Sequence, residues 1–140
     1  MDHGHTLQGL KLTVTMLFAG LLGSCVGFLW SLAVPLPAHA LAAAPSWALG
    51  WMALGGIQGA CMAPAHGLAR GAAPRSLCRF LLAAGGLTTT LVGLALWHAV
   101  GRTGPLSLGL ALGLIVLCAM PLCAYLVGRH EQAPALPVWL

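Results

Sequence analysis

The sequence predicts an all-α polytopic membrane protein, with four transmembrane helices in an antiparallel bundle, and three observations carry that prediction. Of 140 residues, 6 are Lys or Arg and 2 are Asp or Glu, so 6% are charged. A soluble domain averages about 25%. Apolar residues make up 59% and the mean hydropathy is +0.93. So few charges cannot cover the surface of a water-soluble domain, which sets aside a cytosolic enzyme, a nucleic-acid-binding domain and a disordered chain. The charges are also segregated. None falls between Leu12 and Ala69, between Phe80 and Gly101, or between Thr103 and Gly128. A membrane-crossing helix needs about 20 mainly apolar residues, so the first run holds two spans and the others one each.

The expected spans are about 12–34, 46–66, 78–100 and 106–127. Pro35 and Pro37 end the first, because proline lacks an N–H and clashes with the preceding turn. Ala38-His39-Ala40 fits the small-x-small rule for leader cleavage, but the apolar stretch before it exceeds the 7–15 residues of a leader core, so an uncleaved span is expected. Pro45-Ser46 opens the second span, with a proline and a capping residue just before Trp47. Arg70, Arg75 and Arg79 mark the loop before the third, and Arg102 the loop before the fourth. Pro121 is expected to kink the fourth. Short connections make neighbours antiparallel, and residues 1–140 read as one integral membrane domain.

Orientation follows from the basic residues. Lys11, Arg70, Arg75, Arg79 and Arg129 fall on one side and Arg102 on the other, which places both termini in the cytoplasm of a bacterial inner membrane. The net charge of +4 then reflects topology and not a nucleic-acid partner.

In lipid, helices associate through close backbone approach at small residues. Each span offers such a face: Gly20 and Gly23-x-x-x-Gly27, Gly55-x-x-x-Gly59 with Gly56 and Ala60, Gly85-x-x-x-Thr89-x-x-x-Gly93, and Gly109-x-x-x-Gly113. Packing within the chain is the expected use, with a homo-oligomer as an alternative. Trp30, Trp47, Trp97 and Trp139 sit where an interfacial aromatic belt would, with Trp51 one turn inside.

The cysteines are Cys25, Cys61, Cys78, Cys118 and Cys123, with no C-x-x-C pair, so small apolar core residues are expected and disulfide-exchange chemistry is not. His3-Gly4-His5 resembles a weak metal-binding tract, but no metal site is expected. His3, His5, His66 and His130 fall toward the cytoplasmic side, His39 and His98 toward the other; His3-Gly4-His5 reads as a flexible polar terminus. A haem b held by His98 or His66 stays open, without a motif that calls for it. No carboxylate lies within a span, which argues against proton-coupled transport. Threonines satisfy themselves by bonding to the previous helical turn. Gln58, an amide in mid-span, needs partners, as helix glue or as a ligand anchor. Tyr125, the lone tyrosine, reads as an interfacial anchor.

Gly4-His5-Thr6-Leu7, the run Leu17-Phe18-Ala19-Gly20-Leu21-Leu22-Gly23, Pro35, the basic loop from Arg70 to Arg79, and the spacing of Gly86, Thr90 and Gly101 together resemble the four-helix membrane isomerases, namely hydroxylaminobenzene mutases and styrene oxide isomerases. The chain departs from that pattern at the start of span two. The resemblance implies a histidine there, a haem ligand in the styrene oxide isomerases, but Ser46 to Leu49 include Trp47 and no histidine. The asparagine implied one turn on is missing from Trp51 to Leu54, and Thr90 stands at the place of the third-span asparagine.

Three functions stay open: an isomerase or mutase acting on a small lipid-soluble aromatic compound, an accessory subunit of a larger membrane complex, and a small oligomeric transporter or channel. For the first, rearrangement needs a proton donor or charge stabilisation. The candidate groups are His98, Gln58, Thr90 and Tyr125. The lipid bilayer is the expected partner in every case.

Overall fold

The computed structural model describes residues 3–131, apart from 35, 37, 72 and 101–103. Four long helices make up the fold: α1 (His3–Ala33), α2 (Ala44–Arg70), α3 (Arg75–Val100) and α4 (Gly104–Glu131). A 3₁₀ turn, Ala38–Ala43, leads into α2. Pro35, Pro37, Gly101, Arg102 and Trp139 lie outside the described residues.

The helices are longer than the charge-free runs suggest. Apolar runs show where lipid contact is favourable, whereas helical hydrogen bonding continues through flanking polar residues. The terminus expected to be flexible is helical from His3, and Gln8 and Lys11 are good helix formers that carry α1 forward. At 1.5 Å per residue, helices of 26 to 31 residues are about 39–46 Å long.

Helix α2 is the centre of the bundle and packs against all three others, whereas α3 and α4 meet only marginally. Gly23 faces Gly55, and Gly27 faces Trp51, so α1 and α2 run antiparallel. Cys61 faces Gly85, and Gly50 faces Leu96, so α3 also opposes α2. Gly113 lies by Trp51, and Gly128 by His66, so α4 runs alongside α2 in the same direction. Lys11, Arg70, Arg75, Arg79 and Arg129 therefore gather at one end. There Arg70 Nη1 and His66 Nε2 lie 3.5 and 3.8 Å from Glu131 Oε2. These half-exposed pairs stabilise by about 1 kcal/mol or less.

Three helical segments, Thr6–Ala33, Arg75–Ala99 and Leu108–Glu131, are long and apolar enough to cross a membrane. Their outward faces are large apolar side chains, with Leu17, Phe18 and Leu21 each about two-thirds exposed. Helix α2 is less apolar, and its position explains why. Its neighbours cover Trp47, Trp51, Leu54, Gln58, Cys61 and Pro64, so it is free to carry glycine, an amide and an internal proline. Helix α2 continues through Pro64, as α4 does through Pro121.

The α1–α2 seam is a contact of backbones. A Cβ at Gly23 would run into the Gly55 carbonyl, one at Gly27 into the Trp51 carbonyl, and one at Gly59 into the Ala19 carbonyl. Chains this close gain dispersion and weak Cα–H···O contacts that any larger residue would abolish. The other small-residue faces are also used inside the chain. Gly85 receives the Cys61 thiol, Gly93 packs against Leu114, and Gly113 against Trp30 and Trp51.

The tryptophans correct the expected aromatic belt. Trp47 and Trp51 are buried, and Trp30 and Trp97 are half-buried against the same cluster of Leu54, Leu96, Leu110 and Leu117. Ring centroids of Trp30 and Trp47 lie 6.2 and 5.5 Å from that of Trp51, both edge-on. The gap left by Gly113 is what admits the Trp30 and Trp51 rings to the interior. Trp47 Nε1 donates to the Ser31 carbonyl at 3.3 Å. The cysteines divide as well. Cys61 and Cys78 are buried as expected, whereas Cys25, Cys118 and Cys123 are exposed.

Candidate functional site

The polar feature at the middle of the bundle is a pair on facing helices. Gln58 of α2 and Thr89 of α3 are each 4% exposed. Gln58 Nε2 donates to Thr89 Oγ1 at 2.5 Å. Why Thr89 is the partner follows from its neighbours. Thr88 and Thr90 donate to the Ala84 and Gly86 carbonyls of their own helix, at 2.8 and 2.9 Å, and are exposed. Thr89 continues the Gly85 face that rests on α2, where the absence of a Cβ at Gly85 lets the helices close. An amide has four hydrogen-bonding positions, and among the described residues Gln58 uses one. Its second N–H, its carbonyl oxygen and the Thr89 hydroxyl proton remain for a guest.

Space for a guest is present. Gln58, Cys61, Gly86, Thr89, Thr90 and Cys118 line a pocket of about 190 Å³ between α2, α3 and α4, which Pro121 also borders. Gly86, Thr90 and Cys118 are exposed, and nothing lies within 4 Å of where a Gly86 Cβ would stand. The pocket therefore opens outward between α3 and α4, where those helices hardly touch. Pro121 also removes the N–H that would bond the Leu117 carbonyl one turn earlier.

Two of the four candidate groups, Gln58 and Thr90, meet at this pocket, and two do not. His98 is exposed in the last turns of α3, nine residues and roughly 13 Å along the axis from Thr89. Tyr125 is half-buried one turn beyond Pro121 and does not line the pocket. Thr89, Cys61 and Cys118 line it without having been nominated. Two sequence signals point to Thr89: its place on the Gly85–Gly93 face, and the Thr88–Thr90 run that could line a pore together with Gln58. His66 lies at the basic end and His98 at the opposite end, so the two candidate haem ligands are not brought together. The helix start where the family resemblance implies a haem ligand instead carries Trp47, buried and bonded to Ser31.

A second, larger cavity lies at the basic end. It is an open cleft of about 780 Å³ between α1 and α4, floored by α2, with Lys11, Thr15, Ala19, His66, Cys123 and Val127 on its walls.

No protein-family model, curated protein or solved structure matches the chain.

Proposed function

We propose that the chain is a four-span integral membrane protein of a bacterial inner membrane, both termini cytoplasmic, that admits a small lipid-soluble aromatic compound from the bilayer into the Gln58–Thr89 pocket and isomerises it. Three outer helices apolar enough to cross a membrane support the first part. A central helix of matching length, shielded by them, needs little lipophilicity of its own. Five basic residues at one end support the orientation.

The observation that carries the functional part is the buried Gln58–Thr89 pair at the floor of a laterally open pocket. A cavity of about 150 Å³ holds benzene, so about 190 Å³ admits a single ring with a small polar substituent. Such a compound enters from the lipid side past Gly86. The amide N–H of Gln58 and the hydroxyl of Thr89 would donate to the substituent oxygen as its bond to carbon or nitrogen weakens. Donors fixed in a dry site stabilise developing negative charge well. The family resemblance names the reaction class: rearrangement of an epoxide or an aryl hydroxylamine.

The test is direct. The purified chain is incubated with styrene oxide and, separately, with hydroxylaminobenzene, and the isomer is followed by chromatography. Gln58→Leu should lower turnover at least about 100-fold, the cost of one oriented donor. Gly86→Phe, which closes the mouth without meeting a neighbour, should block it with the Tm unchanged. No isomer from either compound, or full turnover in both variants, refutes the catalytic reading. Release of the chain from membranes by alkaline washing would refute the membrane placement itself.

A further inference from the structure

We infer that the cleft between α1 and α4 holds an anionic phospholipid of the surrounding leaflet, its phosphate against Lys11 and one acyl chain along the α2 floor. The inference rests on the membrane placement above and is independent of what the Gln58 pocket does. The cleft is amphipathic along its length. Gln8 and Lys11 stand at its outer end, and Leu12, Ala19, Ala63 and Val127 give it apolar walls. Ala19 lies eight residues beyond Lys11 on α1, roughly 12 Å inward, so the walls follow the direction an acyl chain takes from its headgroup.

Charge selects the headgroup. Among the described residues, no carboxylate lines the cleft. The Glu131 carboxylate faces Arg70 and His66 at this end, whereas Lys11 has no ion pair among the described residues. Arg70 at the end of α2 and Arg129 at the end of α4 stand at the same end and keep the local potential positive. A zwitterionic headgroup would bring its own cation toward that field, and a soluble anion would leave the apolar floor uncovered. Basic pockets between spans on the cytoplasmic side are established receptors for anionic headgroups.

The test uses the full chain in nanodiscs of equal parts phosphatidylglycerol and phosphatidylcholine, followed by native mass spectrometry of the lipid retained. Wild type should keep one phosphatidylglycerol per chain, with about fivefold preference over phosphatidylcholine. Lys11→Gln should abolish the preference, and Lys11→Arg should preserve it. Arg79→Gln, at the same end but outside the cleft, should leave it unchanged. A phosphatidylglycerol carrying a diazirine on its acyl chain should label the peptides holding Ala19 and Ala63. Equal retention of both lipids, an equal loss in Arg79→Gln, labelling confined to the outer face of α1, or a dimer that excludes lipid would each overturn the inference.

Discussion

Helix α2 meets α1 and α4 on different terms. Toward α1 it presents Gly55 and Gly59, and backbone touches backbone along two turns with no room for a side chain. Toward α4 it offers side chains, and cavities border the contact: the Gln58 pocket, shared with α3, and the Lys11 cleft, shared with α1. The first interface is specified by what is missing, the second by what is left open. A seam built from glycine tolerates almost no change, because the obstacle to a larger residue is a carbonyl that cannot rotate away. A seam bordering a cavity tolerates most changes and loses function instead of fold.

Substitutions at the two kinds of interface sharpen that contrast. Gly55→Leu should have the largest effect. Its side chain meets the Gly23 backbone, so the cost should exceed the usual 1–3 kcal/mol of overpacking and reach about 4 kcal/mol or more, read as loss of a monodisperse peak in mild detergent. Trp51→Ala empties the centre of the tryptophan cluster and should destabilise by about 3–4 kcal/mol, read as a fall in Tm. Gln58→Leu should cost about 1 kcal/mol or less, because Thr89 can then bond to the Gly85 carbonyl as its neighbours do to theirs. Gly86→Leu, on the open face of α3, should shift stability by under about 0.5 kcal/mol. A Gly86→Leu chain as unstable as Gly55→Leu would erase the distinction between the two kinds of interface.

The sequence made some of this plain and hid the rest for identifiable reasons. Charge-free runs located all four helices, three of which are long and apolar enough to cross a membrane. They missed that α1 begins at His3, because hydrogen bonding in a helix does not stop where hydropathy does. The glycine faces were readable one by one. That Gly23 meets Gly55, and Gly113 meets Trp30, depends on which helix lies beside which, and spacing within one helix cannot encode it. The tryptophans were misplaced for the same reason. A tryptophan near a helix end suits an interface unless glycines across the bundle leave it a slot. Among three consecutive threonines, the rotation of α3 alone decides that Thr89 faces inward and Thr90 outward. His98 and Tyr125 were nominated for their chemistry, and chemistry does not determine position.

The modest apolarity of α2 bears on how the chain is made. In the four-span reading, α1 leaves the ribosome first and partitions into lipid readily, whereas α2 on its own partitions poorly because of Gln58, His66 and its glycines. The glycine seam remedies this if the two helices enter the bilayer as a preformed hairpin, with α1 serving as escort for α2. Gly23 then matters before the bundle exists, and a substitution there should reveal itself first as a misrouted nascent chain and only afterwards as an unstable finished protein.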